Sequence, residues 1–333
     1  MVGKYEIKVY NNKVQYKLTI KRNITILQGN SATGKTELIR LISEYEANDA
    51  SSGITLICDK KCTVLTSVDW ELRLSSLKEH IIFIDETANF IKSNRFAELV
   101  KGSDNYFVIV TRDDLSQLPY SVEEIYGLKN ASDNQKHKNY TRIYNEMYKL
   151  YCFDVRERFD PDVVITEDSN SGYELFSLLY LNRCISANGK SNIYQCIKDT
   201  KQKQTLAIVD GAAFGSEIGK IYRYIETSRI KCVLYAPESF EYLLLRAGFV
   251  DITKDKIENT FNYADSMKYM SWEEYYTEYL LQETRDTVYQ YKKTKLASAY
   301  KTETALTKIL SVIPNKIIPN NSFNNKRENY EEK

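Results

Sequence analysis

Histidine is nearly missing from this chain, with His80 and His137 as the only two, and the six cysteines (Cys58, Cys62, Cys152, Cys184, Cys196 and Cys232) are scattered. No zinc-like cluster can be assembled from such spacings, and the cysteines read as reduced thiols. Cys58 and Cys62 are close, but Asp59-Lys60-Lys61 between them reads as a hairpin turn rather than a metal or redox pair. Long apolar runs are missing too. No stretch of about 18 apolar residues exists to span a bilayer, and the opening MVGKYEIKVYNNK has no apolar signal-peptide core. The expectation is a soluble, cytoplasmic protein with no membrane partner. A net charge of +1 provides no overall attraction to nucleic acid and leaves only local patches for that role.

What is present is enough apolar material for two domains. The 333 residues are 43% hydrophobic, which can supply a core to each of two units of ordinary size. Residues 5 to 20, YEIKVYNNKVQYKLTI, alternate apolar and polar around Asn11-Asn12, the pattern of a β-hairpin with one buried face. GITLICDKKCTVL (53 to 65) reads as a second hairpin. HIIFIDE (80 to 86) and NYFVIVTRDD (105 to 114) are continuous apolar runs that end in polar residues. Strands apolar throughout, with helical pattern between them, predict a parallel sheet covered on both faces, whose ligands sit beyond the carboxyl ends of the strands.

The strongest chemical signal is NITILQGNSATGKT (23 to 36). A short β-branched strand runs into Gly29, Asn30, Ser31, Ala32, Thr33, Gly34, Lys35 and Thr36, the G-x-x-x-x-G-K-[ST] phosphate-binding loop, or Walker A motif. The two glycines let consecutive N–H groups turn toward phosphate oxygens, and the helix that follows adds its positive end. Lys35 is placed to reach the β- and γ-phosphates, and Thr36 to offer its hydroxyl to Mg²⁺. Binding alone needs no more than this loop, whereas hydrolysis needs carboxylates from a second strand. IIFIDE supplies them as a Walker B pair: Asp85 to hold a water ligand of Mg²⁺, and Glu86 to orient or deprotonate the attacking water. Thr111 and Arg112 end the next strand, where a polar group can sense the γ-phosphate, although a solvated Arg beside Asp113 and Asp114 explains the same letters.

A polar stretch, KNASDNQKHKNY (129 to 140), marks a linker. Beyond it strands and helices alternate again: VVIT before Glu167-Asp168, TLAIVD up to Asp210, and KCVLYAPESFE, with GYELFSLLYLNRCI and SEIGKIYRYIETS as helical patterns between them. A second parallel sheet is expected. AFGSE and NGKSN read as turns near its rim, with phosphate contact as the functional alternative. From Trp272 to Ile313 the pattern is mostly helical and includes the lysine- and tyrosine-rich YQYKKTKLASAYK; Pro314 ends it, and the tail is polar. The expected layout is a P-loop ATPase domain over 1–128, a linker over 129–150, a second, smaller α/β domain over 151–270, a helical segment over 271–314 and a disordered tail over 315–333. The fold class is α/β.

The antiparallel N-terminal β unit, ITILQGNSATGKT, IIFIDE and FVIVTRD together resemble a pared-down, ABC-related, AAA-like P-loop ATPase over residues 1 to 128. WELRLSSLKEH stands where that family carries an LSGG-like signature, and Lys35 and Asp85 are only 85 − 35 = 50 positions apart. Residues 163 to 241 resemble the TOPRIM domain that follows the ATPase in OLD-family nucleases, which holds Mg²⁺ on a Glu and an Asp-x-Asp. The resemblance assigns Glu167 to the Glu and Asp210 to the first Asp, whereas the second Asp is replaced, the chain reading Asp210-Gly211-Ala212. Asp168, Glu238 and Glu241 are the acids nearby that can compensate. The implied function is an ATP- and Mg²⁺-binding, ATP-hydrolysing protein that couples its nucleotide cycle to a TOPRIM-like domain. The alternatives are an ATP-gated, Mg²⁺-dependent nuclease with a defence or mobile-element role, and a non-catalytic nucleotide switch or assembly factor. A nucleic-acid or protein partner and a homo-oligomer are compatible with each.

Overall fold

The alternating segment at the start folds as the pattern dictates. β1 (Tyr5–Tyr10) and β2 (Val14–Ile20) pair antiparallel with Tyr10 opposite Gln15, and the Asn11 side-chain oxygen accepts from the Lys13 and Val14 amides at 2.8 and 3.0 Å to close the turn. The computed structural model describes residues 1–29, 34–131, 142–153, 155–181, 183–201 and 203–319. It is a mixed α/β protein of two units. One comprises the described residues of Met1–Cys152 together with Glu258–Trp272; the other comprises those of Phe153–Ile257 and those from Glu273 onward.

The first unit is built on a nine-stranded mixed sheet. After β1 and β2 come β3 (Ile24–Leu27), α1 (Lys35–Asn48), β4 (Thr55–Ile57), β5 (Lys61–Val64), α2 (Trp70–Ser76), β6 (His80–Ile84), α3 (Asn94–Val100), β7 (Tyr106–Val110), β8 (Ile125–Asn130) and β9 (Ile143–Lys149). The strand order is β4-β1-β2-β9-β8-β3-β7-β6-β5. β5, β6, β7, β3 and β8 run parallel to one another, as continuous apolar runs predict. β8 and β9 were not legible as strands, and Ile143–Lys149 falls inside the stretch expected to be a linker. Residues 132 to 141, which contain most of the rest of that stretch and His137, lie outside the described residues, as do those from 320 onward in the expected tail.

The expected second hairpin does not form. β4 pairs antiparallel with β1 and β5 pairs parallel with β6, at opposite ends of the strand order. An extended pattern reports that a segment is a strand, not which ladder edge it completes. Yet Ile57 and Lys61 are only four Cα steps apart, at most about 15 Å. The two ends of the order are thereby drawn together, and the sheet wraps around α1. Leu38, Ile39, Leu41 and Ile42 of that helix share one core with Ile7, Val9, Leu18, Val64, Phe83 and Val108 of the strands.

The second unit carries a four-stranded, all-parallel sheet of β10 (Val163–Thr166), β11 (Cys184–Ser186), β12 (Thr205–Ile208) and β13 (Cys232–Tyr235), in the order β11-β10-β12-β13. Its helices are α4 (Ser171–Leu179), α5 (Ile193–Asp199), α6 (Gly215–Ser228), α7 (Phe240–Arg246), α8 (Lys254–Glu258), α9 (Trp272–Glu283) and α10 (Glu303–Leu310). The helical stretch expected from Trp272 to Ile313 is interrupted, and YQYKKTKLASAYK is not a helix apart from a short turn at Ser298–Lys301. Thr284 explains the break. Its hydroxyl donates to the Leu280 carbonyl at 2.7 Å and accepts from the Tyr291 amide at 2.9 Å, turning the chain out of α9 and seating Tyr291 in the interior. No helix among the described residues is long and apolar enough to cross a membrane, and all six cysteines are free.

Candidate functional site

In the first unit the carboxyl ends of β3, β7 and β6 lie side by side, because β7 sits between the other two. Three sequence-predicted groups therefore share one edge: Gly29 and Lys35 after β3, Thr111 and Arg112 after β7, Asp85 and Glu86 after β6. Asn30, Ser31, Ala32 and Thr33 lie outside the described residues, but both shoulders of the loop are described. Gly29 (φ 121°) and Gly34 (φ 85°) take backbone conformations that favour glycine. Gly34 caps α1, and its carbonyl accepts a 2.8 Å hydrogen bond from the Tyr16 hydroxyl.

Lys35 is 6% exposed and its ammonium donates to the Gly29 carbonyl at 3.1 Å. Burial pushes it below its ordinary value, the Arg112 charge pushes the same way, and Glu86 opposes both. The strand order brings the three together, since Lys35, Arg112 and Glu86 follow the neighbouring strands β3, β7 and β6. The Arg112 guanidinium lies 3.5 Å from the Glu86 carboxylate, and the Arg112 carbonyl accepts from the Gln28 side-chain Nε2 at 3.4 Å, joining the ends of β7 and β3. Asp85 accepts from the Thr87 hydroxyl at 3.3 Å through Oδ2, while its Oδ1 is buried without a hydrogen-bond partner. Thr36 stands exposed on the first turn of α1. A buried ammonium beside a glycine of positive φ and an orphaned carboxylate oxygen suit a polyphosphate with a hard cation.

The second unit has its own cleft, of about 480 Å³ counting its open mouth. The chain leaves β10 toward β11 on one side, then returns to β12 and β13 on the other, so a crevice opens beyond the ends of β10 and β12. Glu167 follows β10 and Asp210 follows β12, so both predicted acids line it. The Asp210 amide donates to Glu167 Oε2 at 3.4 Å, and Asp210 Oδ1 accepts from the Phe240 amide at 2.9 Å. A side chain at Gly211 would meet the Ala236 carbonyl at 2.7 Å, and Ala212 is 2% exposed, so the turn that replaces the second Asp is packed against the chain after β13.

Of the three compensating acids, Glu241 is the one that the structure brings into the cleft as a free acceptor. It is 2% exposed on the first turn of α7; its Oε1 accepts from the Tyr291 hydroxyl at 2.6 Å, and its Oε2 is buried without a hydrogen-bond partner. Asp168 also lines the cleft but spends its oxygens on Asn170, at 3.0 Å to the amide and 2.6 Å to the side chain. Glu238 meets the Asp210 turn through its carbonyl, which accepts from the Ala212 amide at 3.0 Å. Burial raises Asp210 well above the carboxylate range, and Glu273, Glu167 and Glu241 add to that rise against Lys293. Burial likewise lifts Glu167, up to about 7, with the Glu273 charge adding and the Asp210 amide opposing.

Tyr291, Lys293 and Glu273 were not anticipated here. Lys293 Nζ lies 2.9 Å from Glu273 Oε1, and the Lys293 carbonyl accepts from the Ser171 amide and hydroxyl at 3.1 and 2.9 Å. No spacing signal links these residues to Glu167, because the connection is made by the non-helical crossing after α9. NGKSN and AFGSE meet at the same rim, where the Lys190 ammonium donates to the Ala213 carbonyl at 3.1 Å. As they stand, no three or more His, Cys, Asp or Glu among the described residues are arranged to hold a metal ion. No protein-family model matches the chain, and no curated protein is detectably similar to it.

Proposed function

We propose that the first unit binds ATP with Mg²⁺ on residues 29 to 36 and hydrolyses it, the nucleotide cycle being coupled to the second, TOPRIM-like unit. The observation that carries this reading is the convergence of Lys35, Arg112 and Glu86 from three strand ends beside the orphaned Asp85 oxygen. Thr36 and Asp85 are the residues that would hold Mg²⁺, which supplies neutralisation of phosphate charge when bound. Lys35, short of solvent, gains more from a polyphosphate than an exposed lysine does, because the phosphates replace the hydration that it has lost. Arg112 offers a second cation, and Glu86 accepts or orients the proton of the attacking water. Lys35→Ala is expected to remove ATP binding. Glu86→Gln is expected to keep binding and slow phosphate release by at least about 100-fold. Unchanged ATP affinity in the Lys35 variant sinks the assignment, and binding with no phosphate release in the parent chain turns the protein into a nucleotide switch.

A second reading is favoured by the other cleft: a Mg²⁺- or Mn²⁺-dependent phosphodiesterase on Glu167, Asp210 and Glu241, gated by ATP. Its support is the unpartnered, buried Glu241 oxygen, which supplies a third hard donor where Ala212 supplies none. Plasmid incubated with ATP and Mg²⁺ or Mn²⁺ tests it. Cleavage abolished by Asp210→Ala establishes the nuclease, and intact plasmid with Glu86-dependent phosphate release leaves the ATPase alone.

A further inference from the structure

The second cleft already contains a cation of its own. Glu167, Asp210 and Glu241 line it with Lys293 at its mouth, and Glu273 holds the lysine ammonium at 2.9 Å. Each of these three acids has one oxygen turned to a protein donor: Glu167 to the Asp210 amide, Asp210 to the Phe240 amide and Glu241 to the Tyr291 hydroxyl. Glu241 Oε2 remains, buried and without a hydrogen-bond partner. A buried acceptor left unsatisfied points to a ligand that the cluster can take up. Against burial, which lowers it, the charge and hydrogen bond of Glu273 first, and then the charges on Glu241 and Asp210, hold the Lys293 ammonium above its ordinary value; lining the same cleft, the lysine belongs to the cluster.

We propose that Lys293 is a built-in competitor for a divalent cation: its ammonium neutralises the Glu167, Asp210 and Glu241 cluster from the mouth, and a cation binds there as that ammonium turns away. This rests on reading the cleft as a cation site. The root of Lys293 is fixed, since its carbonyl is held by Ser171, while half of its side chain is exposed. Its tip can therefore leave for water at the cost of one exposed ion pair, and such pairs are weak. An arriving divalent ion brings twice the charge to the same acids, and it also takes the oxygen that Lys293 leaves without a partner. The lysine thus sets a threshold of cation concentration below which its ammonium remains the counter-charge of the acids.

The test is Mn²⁺ titration of the full chain without nucleotide, followed by calorimetry and by the Mn²⁺ electron paramagnetic resonance signal. Lys293→Met is expected to tighten Mn²⁺ binding by at least about tenfold, by removing the resident charge. Lys293→Arg keeps the charge and is expected to stay near the parent, and Glu241→Gln added to Lys293→Met is expected to remove the gain. Equal or weaker Mn²⁺ binding in Lys293→Met, with binding in the parent intact, overturns the competition alone. No Mn²⁺ binding in either chain overturns both the competition and the cation site beneath it. Lys293→Gln removes the same charge with a polar side chain and carries the same expectation and the same overturning result if Lys293→Met fails to fold.

Discussion

A methyl group at Gly34 would meet the Tyr16 hydroxyl at 2.6 Å, on a backbone whose φ of 85° already disfavours any side chain. The motif spacing identified Gly34 as a turn residue, but not its partner, which comes from β2, eighteen positions earlier. Gly34→Ala is expected to cost about 1–3 kcal/mol, from strain at positive φ and the displaced hydroxyl. Urea unfolding of the two chains measures it, and a variant as stable as its parent would falsify the close approach. Lys35 and Glu86 were legible as types at strand ends. Their mutual influence with Arg112 was not, because it depends on β7 lying between β3 and β6. Lys293 shows the opposite case. Its charge was visible in YQYKKTKLASAYK, but a lysine in a basic, tyrosine-rich run has no local reason to face carboxylates, and the turn at Thr284 supplies that reason.

At the scale of elements, β10 and β12 are neighbours, and their ends set Glu167 and Asp210 against each other in a desolvated crevice. Both acids are raised, so the folded chain binds more protons than the unfolded one between the ordinary carboxylate range and the raised values. Their contribution is fully present below about pH 4. It is lost as pH rises through the folded-state value of Glu167, about 7. In a chelating buffer the melting temperature is expected to fall between pH 5 and pH 8, and Asp210→Asn is expected to flatten the fall. A parent profile already flat over that range contradicts the crowding of acids. The strands themselves were readable wherever they were wholly apolar, as in VVIT, TLAI, HIIFI and YFVIV. β8, β9 and β11 escaped because their residues are mixed, and mixed residues are compatible with loop, strand or helix end alike.

For the whole molecule, the chain passes between its two units three times, at 152/153, 257/258 and 272/273. The segment 258 to 272 belongs to the first unit through specific ties. The Gly3 amide donates to the Phe261 carbonyl at 2.7 Å, the Asn23 side chain to the Tyr269 carbonyl at 2.9 Å, and the Ser266 hydroxyl to the Ser103 carbonyl at 3.0 Å. The Arg22 guanidinium stacks 3.5 Å from the Trp272 ring centroid and bonds the fully buried Glu124 at 3.2 Å. A fragment of residues 1 to 152 is therefore expected to be markedly less stable than the same fragment joined by a short linker to 258–272. Chemical denaturation followed by circular dichroism compares them, and equal midpoints would remove the segment from the unit. A contiguous division of the chain was the natural expectation, since composition and periodicity carry no information about a return crossing.

The sequence by itself determined where the strands are wholly apolar, where the phosphate-loop pattern falls, and which acids stand at strand ends, because these follow from side-chain type and spacing over a few residues. Only the tertiary structure decided the rest. It sent β4 and β5 to opposite ends of one curled sheet, set β7 between the two halves of the first site, and returned 258–272 to the first unit. It also carried Tyr291 and Lys293 to the acids of the second cleft. Each of these outcomes is a choice among long-range partners that offer the same local pattern, and burial and hydrogen-bond satisfaction settle such choices only once the whole chain has folded.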